Sequence, residues 1–194
     1  MKVVPKLSFS LHNNPNDFFK TTKEHLYLQP KTSPMSTFQE IESHISSFGF
    51  TFESKDFERP WGGFLVIEEH QAQAFSNQFF NGLDVVTLKI SGKLSPKILI
   101  VQPQARLSWQ YHHRRAEIWR VYKGSVGIIR SDDDTQGAME IYNEGDQITL
   151  KQGERHRLIG LDQQGIVAEI WQHTDPNQPS DEEDIVRVQD DFGR

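Results

Sequence analysis

The 194-residue sequence contains no cysteine. This absence excludes a disulfide framework, a thiolate zinc site, an iron–sulfur cluster and a cysteine nucleophile. The sequence also has no apolar run near the ~18 residues that a membrane-spanning helix needs, and its N-terminal segment MKVVPKLSFSLHNN lacks the apolar core of a signal peptide. We therefore expect a cytoplasmic protein without a membrane partner.

Positive charge is scarce as well. The chain has 21 Lys and Arg residues against 27 Asp and Glu residues, which gives a formal net charge of −6. Because nucleic acids and anionic membranes attract basic proteins, this acidic excess argues against both as partners. The length favours one domain with a short appended segment, since a chain of this size can bury a sizeable core without cross-links.

The first 56 residues differ in character from the rest. They hold four of the nine prolines and two predicted short helices, one near residues 16–28 and one at about 37–48. In the second helix, Ser36 is the expected cap, and an apolar stripe runs along one face up to Gly49. We predict that residues 1–56 form a helical N-terminal extension that packs on the main domain or on a partner chain.

Residues 57–194 have the pattern of a β domain. Short apolar or alternating runs are separated by turn residues, which is typical of a sandwich or barrel. One helical interruption is predicted over residues 70–81, where three apolar side chains share a face. The predicted strands are 84–91, 97–102, 106–111, 117–122, 125–131, 138–142, 146–150, 156–161 and 165–173.

The polar residues with most chemical content lie in two segments of this β domain. If residues 106–112 are extended, Gln110 and His112 point to the same face, and Glu117 follows on the next strand after a tight bend. In a barrel, His156 could face this cluster from a later strand. Two imidazoles, one carboxylate and one amide oxygen would form a site suited to zinc, iron, manganese or cobalt.

These spacings resemble the two motifs of the cupin superfamily. The first is Q-x-H-x4-E-x6-G, beginning at Gln110, and the second is G-x5-K-x-G-x2-H, beginning at Gly145. Gln104, Gln110, Lys151 and Gly160 stand where the superfamily has Gly, His, Pro and Asn. The resemblance implies a mainly β fold, a double-stranded β-helix or jelly-roll barrel.

A closer resemblance is to type II mannose-6-phosphate isomerases. It rests on RPWG from Arg59, ARLS from Ala105, QYHHRRAEIW from Gln110, and a tail that runs from EDIVR at Glu183 to a final DFGR. In that family the isomerase module usually follows a mannose-1-phosphate guanylyltransferase domain with a Gly-rich nucleotide loop, which this sequence lacks. We therefore expect a stand-alone isomerase, a cupin barrel over residues 57–194, without GDP-mannose synthesis.

The resemblance implies that Gln110, His112, Glu117 and His156 are the ligands of a divalent metal, with zinc expected. It also implies an aldose–ketose isomerase of a sugar phosphate that converts mannose 6-phosphate to fructose 6-phosphate. Two alternatives stay open. One is a cupin that binds a sugar or another small ligand without turning it over, and the other is a different metal-cupin enzyme, such as a dioxygenase or an epimerase of sugar nucleotides.

The isomerisation moves a proton between C1 and C2, so it needs a base beside the electrophile. Three residues are candidates. His113 offers an imidazole, although strand alternation points it away from His112. Glu169 lies on the penultimate strand, and Lys97 aligns with a lysine of the family.

The phosphate needs fixed cations, and guanidinium groups suit it because of their planar fork of donors. Arg106 shares strand parity with Gln110 and should face the barrel interior, and Arg115 lies beside the predicted ligands. Arg187 and Arg194, in the tail that resembles the family's C-terminus, are further candidates for the phosphate. We favour Arg106 and Arg115 for this role and interpret Arg187 as an ion-pair partner of the acidic tail segment. A homodimer is expected, because an unpaired edge strand invites a partner.

Overall fold

A computed structural model describes residues 37–88 and 93–193. The helices in these ranges are α1 (Phe38–Ser47), α2 (Ala72–Phe79) and α3 (Val85–Leu88). The strands are β1 (Phe52–Arg59), β2 (Gly62–Ile67), β3 (Lys97–Val101), β4 (Trp109–His112), β5 (Arg115–Lys123), β6 (Ser125–Ser131), β7 (Met139–Asn143), β8 (Gln147–Leu150), β9 (Arg155–Gly160), β10 (Gly165–His173) and β11 (Ile185–Gln189). The helix predicted near 16–28 lies outside the described residues.

The strands form two antiparallel sheets. Their orders are β1-β2-β3-β10-β5-β8 and β11-β4-β9-β6-β7. From β3 to β11 the chain changes sheet at every connection except the one between β6 and β7, as in a jelly roll. This arrangement confirms the mainly β, two-sheet barrel predicted from the sequence.

The six-stranded sheet is covered on both faces. On its outer face, Ile41 of α1, Phe75 of α2 and Ile100 of β3 belong to one apolar cluster. On its inner face, Val101 packs in a second cluster with Leu158 of the five-stranded sheet. Strands β3 and β10 are therefore buried at almost every position, which explains why they read as continuous apolar runs. None of the helices among the described residues is long and apolar enough to cross a membrane.

Helix α1 confirms the prediction for residues 37–48, with a cap one residue later than expected. The Thr37 hydroxyl accepts a hydrogen bond from the Glu40 backbone N–H, and the Glu40 carboxylate accepts one from the Thr37 N–H. This reciprocal pair is a capping box. The predicted boundary between residues 56 and 57 lies within β1. Helix α1 and the strands of the barrel contribute side chains to one hydrophobic core.

Other predictions differ in outcome. The helix predicted over residues 70–81 is confirmed as α2, preceded by a 3-10 turn at Glu69–Gln71. The strand predicted at 84–91 is wrong over residues 85–88, which form α3, where the Asp84 carboxylate accepts the Val86 N–H and favours a helical start. Strand β1 was missed because it is an edge strand with mostly exposed side chains, and so it lacks an apolar pattern.

Gly62 joins β1 to β2 in a conformation that other residues rarely adopt. Its φ is 144°, and a Cβ atom there would lie 1.9 Å from the carbonyl oxygen of Ile100 on β3. We expect Gly62→Ala to lower the free energy of unfolding by about 3 kcal/mol or more, because backbone strain and this clash add together. Urea unfolding followed by circular dichroism measures the loss.

Gly49→Ala is the matched control. Its φ is also positive, at 89°, but no atom of the described residues lies within 4 Å of a Cβ at this position. Only the backbone strain remains, so the expected loss is about 1 kcal/mol. Equal losses in the two variants would contradict the role given to the contact with Ile100.

Candidate functional site

One cavity of about 210 Å³ lies between the sheets. Strands β5 and β10 supply its interior wall, where backbone pairing sets Glu169 opposite Trp119 and Trp171 opposite Glu117. The cavity is lined by Arg59, Trp61, Phe64, Lys97, Leu99, Leu107, Ser108, Gln110, Arg115, Glu117, Trp119, Glu169, Glu182, Ile185 and Arg187. Apolar and charged side chains thus line one cavity that is partly open to solvent.

Three buried side chains form a group that could hold a metal ion. They are His112 from β4, Glu117 from β5 and His156 from β9, each 2% exposed, with ligand atoms within 4.8 Å of one another. His112 Nε2 lies 3.1 Å from Glu117 Oε1, and His156 Nε2 lies 3.4 Å from Glu117 Oε2. Gln110 pairs with His156 across β4 and β9 and also lines the cavity, and its Oε1 accepts a hydrogen bond from the Ser108 hydroxyl at 2.6 Å.

The hydrogen bonds of this group fit a bound cation. His156 Nδ1 lies 3.0 Å from the carbonyl oxygen of Glu154, which only accepts, so Nδ1 carries the proton and Nε2 has a free lone pair. Burial lowers the pKa of His156 to about 4, although Glu117 opposes this, so the ring is neutral near pH 7. Neither His156 Nε2 nor Glu117 Oε2 has a hydrogen-bond partner among the described residues. Two facing lone pairs repel each other unless a cation lies between them, so the donor set suits a divalent metal.

Arg115 compensates the negative charge of Glu117 at its other carboxylate oxygen, Oε1. Its Nε donates to Glu117 Oε1 at 2.8 Å, and its Nη2 lies 3.2 Å from His112 Nε2. The guanidinium is 2% exposed, and its Cζ lies 3.5 Å from the centre of the Trp171 ring. Burial alone would raise the pKa of Glu117, but the charges of His112 and Arg115 hold it well below its ordinary value. Glu117 is therefore a carboxylate near pH 7.

Glu169 is the second buried carboxyl group of the cavity and has the opposite electrostatic character. Burial and repulsion by Glu117 raise its pKa to about 7, against the attraction of Lys97 and Arg115. One oxygen accepts a hydrogen bond from Trp119 Nε1 at 3.0 Å. Near neutral pH this group can therefore gain or lose a proton.

Lys97 lies in the cavity as a paired cation. Its Nζ lies 2.5 Å from Glu182 Oε1 and 3.7 Å from the centre of the Trp171 ring. Both contacts are made by the ammonium form, which has no lone pair to accept a proton.

The structure does not bring His113 or Arg106 into the cavity. His113 is exposed and meets the edge of Tyr111, with ring centres 5.1 Å apart. Arg106 is half-exposed and forms a bidentate ion pair with Asp191. The expectation that Arg106 faces the interior is wrong because β4 begins only at Trp109, so strand alternation does not extend back to residue 106.

Two segments contribute lining residues that sequence reasoning did not assign to the site. Trp61, which belongs to the RPWG segment, is 6% exposed and also borders the cavity. Glu182, Ile185 and Arg187 come from the C-terminal segment. In the sequence, the signal that could have assigned these residues to the site was the resemblance of the RPWG segment and of the C-terminal tail to segments of the family. The ion pair expected between Arg187 and the acidic tail does not form among the described residues, whose tail carboxylates pair with Lys97, Arg106 and Arg114.

Comparisons with known proteins identify a family model and a curated relative that match most of the chain. A family model described as "Mannose-6-phosphate isomerase C-terminal" matches residues 51–190. The Xanthan biosynthesis protein XanB of Xanthomonas campestris pv. campestris (strain B100) is 28% identical over 159 residues, which cover 80% of this chain. The chain spans 28% of the length of that curated relative.

Two solved structures are similar at low identity. The oxalate decarboxylase of Lactobacillus farciminis, in its formate complex, has a TM-score of 0.48 and 17% identity, over 69% of this chain and 33% of that one. The capsular polysaccharide assembling protein CapF of Staphylococcus aureus has a TM-score of 0.46 and 15% identity, over 72% of this chain and 34% of that one.

The ion pair between Arg115 and Glu117 predicts a large effect on stability. We expect Arg115→Met to lower the free energy of unfolding by about 3–5 kcal/mol, because it leaves the Glu117 carboxylate buried without its cation. Urea unfolding in the presence of a chelator measures this loss. Lys55→Met removes the half-exposed pair with Glu42 and should cost less than about 1 kcal/mol. A loss for Arg115→Met as small as that of the control would argue against the compensation described.

Proposed function

The chain belongs to the family of mannose-6-phosphate isomerase C-terminal domains and has a cupin fold, and we propose that it is a metal-dependent isomerase that interconverts mannose 6-phosphate and fructose 6-phosphate. One observation carries the proposal. A buried ligand group of the kind that metals favour reaches the cavity through Glu117, and the same cavity is lined by Glu169, a carboxyl group whose pKa is about 7. An electrophile and a base are the two requirements of a proton transfer between C1 and C2.

The proposed metal ligands are Gln110, His112, Glu117 and His156. Their amide oxygen, carboxylate and imidazoles suit zinc, which we propose as the metal. A bound divalent metal would supply positive charge that stabilises the substrate oxygens as the enediol develops. Arg115 supports this role, because it holds Glu117 Oε1 and so directs Oε2 toward His156.

Glu169 is the proposed base. As a carboxylate it would take the proton from one carbon of the substrate and return it to the other. A pKa close to the working pH suits this exchange, because the group must be a base in one half of the reaction and an acid in the other. Lys97 is paired with Glu182, and His113 lies outside the cavity. Both residues are therefore weaker candidates for the base than Glu169.

Apolar side chains would limit water around the reacting carbons. Trp61, Leu99 and Trp119 line the cavity, and each is less than 8% exposed. Excluding water strengthens electrostatic interactions inside the site and protects an enediol from exchange with solvent. The name of the relative places that protein in xanthan biosynthesis, which supports a role in carbohydrate metabolism for this chain. The cytoplasmic location and the homodimer stay predictions.

A coupled assay separates the isomerase from its alternatives. Mannose 6-phosphate turnover is followed through a nicotinamide readout with added zinc, cobalt or manganese, and again after chelation. Turnover that depends on the metal supports the proposal. A folded protein that binds metal and mannose 6-phosphate without turnover would instead be a binding cupin, and a protein that binds metal but not this sugar would point to another metal-cupin enzyme.

Removal of a predicted ligand should weaken the metal site. We expect His112→Gln and His156→Gln to lower zinc affinity about 100-fold or more and to abolish turnover, because each removes an imidazole donor. Competition with a chromophoric chelator measures the affinity. His44→Gln is the control, since His44 bonds to the Tyr122 hydroxyl at 2.7 Å outside the cavity. Unchanged zinc affinity in both ligand variants would rule out this ligand set.

The proposed base predicts a pH dependence. Glu169 must be ionised to accept the proton, so kcat should rise with pH along an acidic limb and then level off. The apparent pKa of this limb should be about 7 or lower. A bound divalent cation lowers the pKa of a nearby carboxyl group, so the limb should not lie above 7.

Glu169→Gln keeps the size and polarity of the side chain but cannot accept a proton. We expect this variant to lose at least ~100-fold in kcat while it retains zinc. Turnover rates between pH 5 and 9, together with the chelator titration, test both expectations. A variant that keeps both its turnover and the acidic limb would exclude Glu169 as the base.

A further inference from the structure

Four cationic side chains line the cavity, and three of them form an ion pair with a carboxylate, although Arg59 Nε has no hydrogen-bond partner among the described residues. The ion pairs are Arg59 Nε with Asp56 Oδ2 (2.8 Å), Lys97 Nζ with Glu182 Oε1 (2.5 Å) and Arg115 Nε with Glu117 Oε1 (2.8 Å). The fourth cation is Arg187, and no carboxylate of the described residues lies within ion-pair distance of it. Its guanidinium therefore keeps its full capacity to bind an anion.

Arg187 is positioned by the pairing of β11 with β4. In that ladder Arg187 lies directly opposite Gln110, and both residues line the cavity. Gln110 in turn is the β-ladder partner of His156, which is one of the buried residues that could bind a metal. Because Arg187 is exposed whereas Glu117, which lines the same cavity, is 2% exposed, Arg187 marks the outer part of the cavity and Glu117 its inner part.

The strand that carries Arg187 is anchored at its start. The buried Asp184 carboxylate accepts hydrogen bonds from the backbone N–H groups of His113 and Arg114, at 3.2 and 3.0 Å, and from the Ser180 hydroxyl at 2.6 Å. These bonds join the C-terminal segment to the end of β4. They hold β11 in place before any ligand binds, which reduces the entropy lost on binding.

The arginines first assigned to the phosphate have other partners. Arg106 is engaged by Asp191 outside the cavity. Arg115 is enclosed, and besides Glu117 and His112 its Nη1 donates to Ser180 Oγ at 2.9 Å and to the Asp181 carbonyl oxygen at 3.1 Å. A guanidinium with its donors used in this way has little left to offer a phosphate.

We infer that Arg187 binds the phosphate group of the substrate and so selects phosphorylated over unphosphorylated sugars. The inference rests on the proposed function for the identity of the sugar. The C6 phosphate is the end of the molecule remote from C1 and C2. A phosphate held at the outer part of the cavity therefore leaves the reacting carbons to point inward, toward Glu117 and Glu169.

The test is a calorimetric titration of the zinc-loaded full chain with three probes: mannose 6-phosphate, mannose and inorganic phosphate. We expect Arg187→Gln to weaken mannose 6-phosphate binding about 10- to 100-fold, the range for loss of a charge-assisted hydrogen-bond pair, and to weaken phosphate binding as well. Mannose binding should not change. Arg187→Lys keeps the charge but loses the planar fork, so its affinity should lie between those of wild type and Arg187→Gln.

Arg120→Gln is the matched control. Arg120 lies on β5, is partly exposed and borders a different surface cavity near Tyr122. This variant should bind all three probes as the wild type does. Because Arg187 is exposed, its variants should fold, and thermal unfolding checks this directly.

The outcomes separate the inference from the proposed function. Wild type that binds mannose 6-phosphate through Arg187 without isomerising it supports the inference and removes only the proposed function. Wild type that isomerises the sugar while Arg187→Gln keeps its KM removes only the inference. Equal loss of mannose and mannose 6-phosphate affinity, a loss in Arg106→Gln instead, or no phosphate binding by wild type would each overturn the inference.

Discussion

The burial of one carboxylate, Glu117, governs the arrangement of the cavity. A charge removed from water must be compensated by neighbours, or the side chain would be protonated. Its two oxygens have different surroundings. Oε1 accepts a hydrogen bond from the Arg115 guanidinium, whereas Oε2 faces the unprotonated Nε2 of His156. The same carboxylate is therefore stabilised by the protein on one side and open to a cation on the other.

This requirement links the barrel interior to the C-terminal segment. Arg115 can serve Glu117 only because its own remaining donors are bound by Ser180 and by the Asp181 carbonyl oxygen, and because its face stacks on Trp171. The segment that supplies these acceptors continues into β11, which closes one side of the cavity. The C-terminal segment is thus part of the cavity wall, and it also supplies hydrogen-bond acceptors for the guanidinium that compensates Glu117.

Two carboxyl groups in one cavity have pKa values displaced in opposite directions. Nearby cations hold the pKa of Glu117 well below its ordinary value, and burial with repulsion from Glu117 raises the pKa of Glu169 to about 7. This difference in pKa suits Glu117 to a permanent negative charge and Glu169 to proton exchange. It is the physical basis for the different roles proposed for them.

Local spacing and periodicity in the sequence determined most strands of the barrel, helix α1 and the shared strand face of Gln110 and His112. These features depend on alternation along a strand and on apolar patterns, which are local properties of the chain. The tertiary structure decided which cation meets which anion: Arg106 pairs with Asp191, Arg115 pairs with Glu117, and Arg187 has no carboxylate partner among the described residues. It also decided the raised pKa of Glu169. Ion pairing and desolvation depend on residues far apart in sequence that only folding brings together, so no local pattern reports them.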